Sequence, residues 1–371
     1  MNNFIIKSFF AWRIALFILG IAAFYLIKFS WSFPYVEARL ISTGYPEWLW
    51  NWGNFDGVHY LSIVQEGYRQ FQQAFFPLYP GLIWLAGKML AENYFLSGLI
   101  VSNGAYLAGL FIFYKLLKLD FSDDLAKKTV ILLLCLPFAF FFGAIYTEGL
   151  FFAEIVACFF LARNNHWWWA GLVGGLAVST RFVGIFLLPA LFIFWYIRSE
   201  RQLSELLPLL LIPAALVFYM IYLQINYGDP LYFLHAQTFF GAQRSGEKII
   251  LLPQVLWRYG KILTSVSVQT LTFWNAVVEL VVTFAVLALI IKSIKKLPVY
   301  YVLFAFLCWL TPTFTGSLSS MTRYVLPIFP VWMMLAMLIG NRQKLFYGVI
   351  VVFVIMQAFF ASLFLRGYFV G

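Results

Sequence analysis

The chain has 371 residues, of which 63% are hydrophobic, 21% aromatic and only 11% charged, and its formal net charge is +10. A soluble domain carries about 25% charged residues, so this chain has too few charges to cover a globular surface in water. The composition excludes a soluble enzyme, a disordered protein and a secreted disulfide scaffold. It predicts an all-α polytopic membrane protein, because long continuous apolar runs do not fit the alternating segments of an outer-membrane barrel.

Twelve apolar runs are candidates for membrane-spanning helices, since a span needs roughly 20 mostly apolar residues. They lie near residues 8–30, 76–91, 97–117, 129–146, 150–163, 167–180, 182–197, 205–223, 271–291, 298–312, 323–340 and 345–365. The run at 76–91 is the weakest, because it is short and contains Pro77, Pro80 and Lys88. No small-residue cleavage site follows the first run, which predicts a retained signal-anchor helix.

The positions of Lys and Arg indicate whether residues 76–91 cross the membrane. If they do not cross and Lys7 is cytoplasmic, 14 of the 25 basic residues lie in cytoplasmic stretches, where Lys and Arg are enriched. The 14 are Lys7, Arg13, Lys115, Lys118, Lys127, Lys128, Arg163, Arg198, Arg201, Lys292, Lys295, Lys296, Arg342 and Lys344. We therefore predict eleven spans, with 76–91 a re-entrant or juxtamembrane helix. The net charge then reflects orientation in the membrane, and no nucleic-acid partner is predicted.

Two external loops are long in this topology, residues 31–96 and 224–270, and both are rich in aromatic residues suited to the membrane interface. The chain is predicted to form one integral-membrane domain over residues 1–371, with short cytoplasmic connections. Eight carboxylates lie on the external side, namely Glu37, Glu47, Asp56, Glu66, Glu92, Glu148, Asp229 and Glu247. Because the cytoplasmic carboxylates lie among Lys and Arg, we expect the chemistry on the external face.

Asp56 is the first candidate, in the run Asn54-Phe55-Asp56-Gly57-Val58-His59-Tyr60. Two roles fit it and do not exclude each other. It can cap a helix N-terminus, or it can be a carboxylate at the membrane–water boundary that takes a proton from an attacking hydroxyl. Later in the same loop, the prolines of Phe75-Phe76-Pro77-Leu78-Tyr79-Pro80 predict a rigid start to a short helix.

Glu148 is the second candidate, in the short external turn Tyr146-Thr147-Glu148-Gly149 between two predicted spans. It is either a functional carboxylate near the membrane surface or a solvated turn residue or helix cap. Glu154 and Glu279 lie inside predicted spans, where ionisable residues are functional candidates. An interhelical hydrogen bond would also explain Glu279.

Two arginines lie at predicted external helix ends, Arg181 in Ser179-Thr180-Arg181-Phe182 and Arg323 in Met321-Thr322-Arg323-Tyr324. The planar guanidinium suits a phosphate group, while interface anchoring or a salt bridge are the alternatives. Asp229, in Gly228-Asp229-Pro230, fits the N-cap of an amphipathic helix over residues 231–240.

The histidines and cysteines show no metal-ligand spacing, so no metal site or cofactor is predicted, although a divalent metal is not excluded. The chain has no P-loop, no dinucleotide-binding glycine motif, and neither the metalloprotease nor the hydrolase nucleophile motif. A transferred group would therefore come from a pre-activated donor that reaches the site from the lipid.

The order of these motifs resembles that of the PIG-V family, which comprises GPI mannosyltransferase II-type enzymes and bacterial relatives in the GT-C superfamily of glycosyltransferases. The resemblance rests on Phe55-Asp56-Gly57-Val58-His59-Tyr60, Glu66-Gly67-Tyr68, Ala74-Phe75-Phe76-Pro77-Leu78-Tyr79-Pro80, Tyr146-Thr147-Glu148, Ser179-Thr180-Arg181, Gly228-Asp229-Pro230-Leu231, Arg323-Tyr324 and Phe329-Pro330. This chain departs from the family at Phe55, where Trp is usual, and at Gly149, where Ser is usual.

The resemblance implies a GT-C-type bundle of about eleven transmembrane helices. It also implies an inverting glycosyltransferase, in the first place a mannosyltransferase. Such an enzyme transfers a hexose from a polyprenyl-phosphate donor, dolichyl or undecaprenyl, to a lipid-linked glycan or other acceptor. By implication Asp56 is the catalytic carboxylate and Glu148 a second catalytic acid. The assignments to donor-phosphate or substrate binding are Arg323, Arg181, His59 and Asp229.

The site would face the outside of a bacterial or archaeal plasma membrane, or the lumen if the membrane is that of the endoplasmic reticulum. The main alternative is a transporter or flippase of a lipid-linked sugar. Transporters usually place their sites at the membrane midplane on broken helices, whereas the polar motifs of this chain gather in predicted external loops.

Overall fold

The computed structural model describes residues 2–241, 244–246 and 248–370, so Glu247, one of the predicted external carboxylates, lies outside the described residues. Within these ranges the secondary structure is helical, apart from one isolated β-bridge between Ile250 and Thr315. The predicted all-α class is therefore confirmed.

The α-helices are numbered in chain order. The first nine are α1 (Asn2–Leu26), α2 (Val36–Arg39), α3 (Glu47–Trp50), α4 (Asp56–Glu66), α5 (Leu78–Met89), α6 (Tyr94–Leu117), α7 (Asp123–Cys135), α8 (Glu148–Arg163) and α9 (Trp167–Thr180). They are followed by α10 (Leu187–Ile197), α11 (Leu211–Tyr227), α12 (Tyr232–His235), α13 (Leu252–Ser265), α14 (Leu271–Ser293), α15 (Val299–Thr313), α16 (Met321–Tyr324), α17 (Phe329–Ile339) and α18 (Gln343–Leu365).

Five helical stretches of the described residues are long and apolar enough to cross a membrane, which makes the chain an integral membrane protein. They are Asn3–Leu26, Tyr94–Leu117, Leu203–Tyr227, Leu271–Ser293 and Gln343–Leu365. Each of the other six predicted spans also contains a helix, but these helices have only 11 to 16 residues. The predicted run 129–146 is divided, because α7 ends at Cys135, before Pro137, and a 3-10 segment follows at Ala139–Gly143.

Residues 76–91 contain α5, a helix of 12 residues. At 1.5 Å per residue such a helix is about 18 Å long, which is shorter than the hydrocarbon core of about 30 Å. The helices α10 and α17, which lie in two of the predicted spans, have only 11 residues each. Helix length therefore does not set this segment apart from the spans, and its not crossing the membrane stays a prediction.

The chain divides into two compact units. Among the described residues, unit 1 comprises residues 2–69, 77–164 and 335–370, and unit 2 comprises residues 70–76 and 165–334 with the gaps given above. The candidate carboxylates Asp56 and Glu148 belong to unit 1, and the candidate arginines Arg181 and Arg323 belong to unit 2. The organisation as a single integral-membrane domain stays a prediction.

In unit 1, α6 and α8 pack closely because glycines lie at their contact. A Cβ atom on Gly149 would lie 2.7 Å from the carbonyl oxygen of Ser102, and one on Gly109 would lie 3.0 Å from Cα of Ala153. Because the atom that faces Gly149 is a backbone oxygen, this position requires glycine. A serine there, the residue usual in the family that the sequence resembles, would meet the same clash.

Arg13 in unit 1 corrects one element of the topology argument. It lies in the middle of α1, and its guanidinium carbon lies 3.9 Å from the centroid of the Trp52 ring. Trp52 itself is fully buried. Arg13 is therefore a packed residue and not a loop charge, and the prediction of orientation loses one of its 14 basic residues.

In unit 2, α9 packs against the helical stretch 203–227. A Cβ atom on Gly171 would lie 2.1 Å from the carbonyl oxygen of Pro208, so glycine is required there as well. A second part of the core consists of the buried Phe76, Tyr219, Leu223 and Phe233. The first half of the Phe75–Pro80 motif thus packs into the core of unit 2.

Candidate functional site

Asp56 is the first residue of α4, and the N-cap position belongs to Phe55, whose side chain makes no capping hydrogen bond. The interpretation of Asp56 as an N-cap is therefore wrong. Phe55 has φ 57° and ψ −112°, a backbone conformation that residues other than glycine rarely adopt. Such strain concentrates at functional sites. The Asp56 side chain is half-buried at a helix N-terminus, where a negative charge is stabilised.

Tyr146 connects the turn before α8 with the start of α4. The backbone N–H of Asp56 donates to the Tyr146 hydroxyl at 3.3 Å, and that hydroxyl donates to the Asn54 carbonyl at 3.1 Å. The Tyr146 carbonyl accepts a hydrogen bond from the Ser102 hydroxyl at 3.1 Å. The Asp56 and Glu148 motifs, distant in sequence, are therefore in direct contact within unit 1.

Tyr79, from the Phe75–Pro80 motif, joins the same network. Its side chain is fully buried, its hydroxyl lies 2.6 Å from Ser102 Oγ, and its ring contacts Tyr60 edge-on with the centroids 4.8 Å apart. Tyr60 lies on α4, four residues after Asp56. Three motifs of the resemblance thus share one hydrogen-bonded cluster around Ser102.

Glu148 is the first residue of α8 and is only 1% exposed. The interpretation of a solvated turn residue is therefore wrong. A capping role is also wrong, because Thr147 occupies the N-cap position. The Glu148 carboxylate interacts electrostatically with Tyr79, which places this second carboxylate beside the cluster that contacts the Asp56 backbone.

His59 lies three residues after Asp56 on α4, so the two side chains share one face of the helix. Burial lowers the pKa of His59 below its ordinary value of 6.5, and the Asp56 carboxylate partly opposes this shift. His59 is therefore neutral at pH 7. A neutral imidazole offers one hydrogen-bond donor and one acceptor.

Unit 2 brings together the two predicted arginines. The guanidinium carbons of Arg181 and Arg323 lie 5.1 and 5.4 Å from the centroid of the Tyr324 ring, which is a cation–π distance. A third cation, Arg244, lies 5.9 Å from the same centroid. We call these three residues and Tyr324 the arginine cluster. Three like charges at one ring create a positive potential that favours an anion.

Arg244 was missed by the sequence analysis, because it belongs to no motif. The available signal was its place in a predicted external loop, where Lys and Arg are depleted. Its guanidinium donates to the Ser319 carbonyl at 3.0 Å and lies 3.4 Å from Ser320 Oγ. It therefore contacts the residues that precede α16, the short helix that contains Arg323.

Asp229 in unit 2 has a local structural role. One carboxylate oxygen accepts the Leu231 N–H at 2.9 Å, and the other lies 2.6 Å from Nδ1 of His235. The predicted N-cap role of Asp229 is wrong, because Leu231 occupies the N-cap position of α12, and Asp229 instead closes the turn that precedes the helix. The predicted helix over 231–240 is wrong in extent, because α12 ends at His235 and a 3-10 segment, Ala236–Phe240, follows. The role of Asp229 in substrate binding stays a prediction.

The two carboxylates of the predicted spans are both buried, Glu154 at 6% and Glu279 at 4% exposure. Glu279 accepts a hydrogen bond from the hydroxyl of Tyr259 on α13, so the interhelical hydrogen bond considered for it is present. Over the part of the chain that the structure describes, no group of three or more His, Cys, Asp and Glu side chains is placed to hold a metal ion.

The chain is similar in sequence to a known membrane enzyme. No protein-family model matches the chain. GPI mannosyltransferase 2 from two strains of Cryptococcus neoformans var. neoformans serotype D is 31% identical over 144 residues, which is 36% of this chain and 34% of each relative. The match thus spans about a third of these curated relatives. It confirms the predicted resemblance to the PIG-V family.

Solved structures share the fold. ArnT from Cupriavidus metallidurans bound to undecaprenyl phosphate has a TM-score of 0.52 at 12% identity, over 92% of this chain and 63% of that one. The apo Archaeoglobus fulgidus oligosaccharyltransferase has a TM-score of 0.50 at 13% identity, over 98% of this chain and 56% of that one. At this identity the likeness concerns the fold alone, and it confirms the predicted architecture of a polytopic helical bundle.

Proposed function

We propose that the chain is an integral-membrane glycosyltransferase that transfers a hexose, in the first place mannose, from a polyprenyl-phosphate donor. The observation that carries this proposal is the placement of Asp56. A half-buried carboxylate follows a strained residue, and its backbone is joined through Tyr146 and Ser102 to the Glu148 turn and to the Phe75–Pro80 motif. The likeness to GPI mannosyltransferase 2 and the undecaprenyl phosphate held by ArnT support the sugar and the donor class.

In the proposed reaction an acceptor hydroxyl attacks the anomeric carbon opposite the phosphate. The bond from that carbon to the phosphate oxygen breaks, the new glycosidic bond forms, and the configuration inverts. Asp56 takes the proton of the acceptor hydroxyl as general base. Glu148 contributes a second negative charge, which stabilises the positive charge that develops on the sugar ring in such transition states. The neutral His59 supplies a hydrogen-bond donor or acceptor to the sugar hydroxyls.

The leaving polyprenyl phosphate changes from a diester with one negative charge to a monoester with nearly two. Arg181 and Arg323 stabilise the additional charge, and Arg244 acts with them, because guanidinium groups bind phosphate oxygens through charge-assisted hydrogen bonds. The acceptor is a lipid-linked glycan or another glycan, and the reaction takes place on the external or lumenal face.

The test is a turnover assay on purified protein in lipid nanodiscs with radiolabelled mannosyl phosphoryl undecaprenol and mannosyl phosphoryl dolichol. We expect Asp56→Asn to lower turnover by about 10²- to 10⁴-fold. The control is Asp124→Asn, which removes an exposed carboxylate of α7 that pairs with Lys128, and should leave turnover within about two-fold of wild type.

An Asp56→Asn variant that transfers mannose as fast as wild type would refute the catalytic role. A wild-type protein that transfers no sugar from either donor, but moves the labelled lipid across the liposome bilayer, would establish the transporter alternative instead.

A further inference from the structure

Glu279 is a buried carboxylate that the proposed reaction does not use. It lies within α14, one of the helices long enough to cross a membrane, and is 4% exposed. Burying a charged group in such a helix is costly, and intramembrane carboxylates are retained where they have a function. Its partners in unit 2 indicate what that function is.

The first partner is Tyr259 on α13, whose hydroxyl donates to the Glu279 carboxylate. The same hydroxyl oxygen accepts the backbone N–H of Leu318 at 3.0 Å. The Glu279 carboxylate also interacts electrostatically with the backbone of Ser320 and with Arg244. Glu279 therefore contacts, directly or through one hydroxyl, the segment that leads into α16.

We define this segment as the 314–320 loop. Arg258 donates to the carbonyl of Gly316 at 2.5 Å, and the N–H of Ile250 donates to the carbonyl of Phe314 at 3.0 Å. The loop ends at Ser320, which has φ 67°, in the left-handed region that non-glycine residues adopt only when their surroundings compel it. The hydrogen bond from Leu318 to Tyr259 and the interaction of Glu279 with the Ser320 backbone supply that constraint.

Ser320 is the N-cap residue of α16, and Arg323 follows within the same single helical turn. The backbone of Ser320 therefore sets the direction in which Arg323 leaves the loop, and the Ser319 carbonyl fixes Arg244. If the 314–320 loop were released from Tyr259 and Glu279, Arg244 and Arg323 would lose the backbone positions that direct them toward the Tyr324 ring.

We propose that Glu279 and Tyr259 are positioning residues for the phosphate site. They set the conformation of the 314–320 loop and thereby orient Arg323 and Arg244 toward the phosphate of a polyprenyl lipid. This inference rests on the proposed function in assigning a lipid phosphate to the arginine cluster.

The experiment measures binding of undecaprenyl phosphate, and separately of the uncharged undecaprenol, to the full-length protein in nanodiscs. Tyr259→Phe removes only the hydroxyl and leaves every charge in place. We expect it to raise the Kd for undecaprenyl phosphate about ten-fold, which corresponds to about 1.4 kcal/mol, and to leave undecaprenol binding unchanged. The matched control is Tyr219→Phe, which removes another buried hydroxyl hydrogen bond of unit 2, at 2.7 Å from the Gln73 carbonyl, and should change neither Kd.

A second variant, Glu279→Asp, tests the inference independently in case Tyr259→Phe fails to fold. It keeps the charge but shortens the side chain by one methylene, and we expect the same selective loss of phosphate binding. If both variants melt as wild type does and bind undecaprenyl phosphate within two-fold of it, the inference is overturned. It is also overturned if undecaprenol binding falls equally, since a general packing defect would do that, or if wild type does not prefer the phosphate over the alcohol. Failure of sugar transfer by a wild type that binds the phosphate selectively would count against the proposed function alone.

Discussion

Gly149 offers the sharpest test of the packing around the candidate carboxylates. A Cβ at this position would lie 2.7 Å from the Ser102 carbonyl oxygen and 3.1 Å from the Phe142 carbonyl oxygen. Both neighbours are backbone atoms, so the steric clash can be relieved only by a shift of α6 or of the 3-10 segment before α8. Overpacking of this kind costs about 1–3 kcal/mol, whereas Gly→Ala within a helix gains up to about 1 kcal/mol. Gly149→Ala should therefore destabilise the protein by up to about 2 kcal/mol.

The matched control is Gly104 on α6, since a Cβ there would meet no heavy atom within 4 Å. Gly104→Ala keeps the gain in helix propensity without the clash and should stabilise the protein by up to about 1 kcal/mol. Thermal unfolding of the three proteins in the same detergent should give midpoints in the order Gly104→Ala, wild type, Gly149→Ala. Gly149→Ser, which restores the residue usual in the PIG-V family, should be at least as destabilising as Gly149→Ala.

A Gly149→Ala protein that melts at or above wild type would refute the close approach of α6 and α8. Turnover adds a second measurement. Displacing Ser102 disturbs the Tyr79 hydroxyl and the Tyr146 carbonyl that bond to it, so Gly149→Ala should lose turnover even at a temperature where it remains folded. If the destabilised variant keeps full turnover, the contact between α6 and α8 is not needed for the proposed reaction.

Three further predictions concern single side chains. Arg244→Ala should raise the Kd for undecaprenyl phosphate about ten-fold, while Ala at the exposed Lys248 should not; equal effects would indicate non-specific charge attraction. The lowered pKa of His59 means that the folded state favours its neutral form, so the associated stability is present above about pH 6.5 and is lost as the pH falls. Wild type should therefore lose more stability than His59→Gln between pH 7 and pH 5, and parallel pH profiles in thermal unfolding would contradict this. Arg13→Lys should cost about 1 kcal/mol, because an ammonium cannot stack its plane on Trp52; an unchanged melting midpoint would show that the stacking contributes nothing.

The helical class was open to prediction from the sequence. Long apolar runs leave a helix as the way to satisfy backbone hydrogen bonds in lipid, and each of the eleven predicted spans contains one. The short helix α5, which follows Pro77, was also predicted from the residues of 76–91. The charge pattern placed Asp56 and Glu148 on one side of the membrane, which stays a prediction, and it did not predict the hydrogen bonds of Tyr146 and Ser102 that join their motifs.

Other features depend on tertiary contacts that leave no pattern in the sequence. The burial of Glu148 follows from the packing of α6 against α8 at Gly149, and spacing along the chain does not encode it. Arg244 meets Tyr324 only because a loop and a distant short helix come together, so no motif marked it. Arg13 was counted with the cytoplasmic charges, since hydropathy does not distinguish a loop cation from one stacked on a buried tryptophan.

The residues assigned to the proposed reaction fall into two groups of opposite charge. The carboxylates Asp56 and Glu148 would act on the acceptor proton and on the positive charge at the sugar ring. The arginine cluster would act on the leaving phosphate. A transporter of a lipid-linked sugar needs cations for the phosphate but has no use for a general base. The strained backbone before Asp56 and the burial of the Glu148 carboxylate both cost folding free energy. Phosphate recognition alone does not explain why the protein keeps them, whereas sugar-transfer chemistry does.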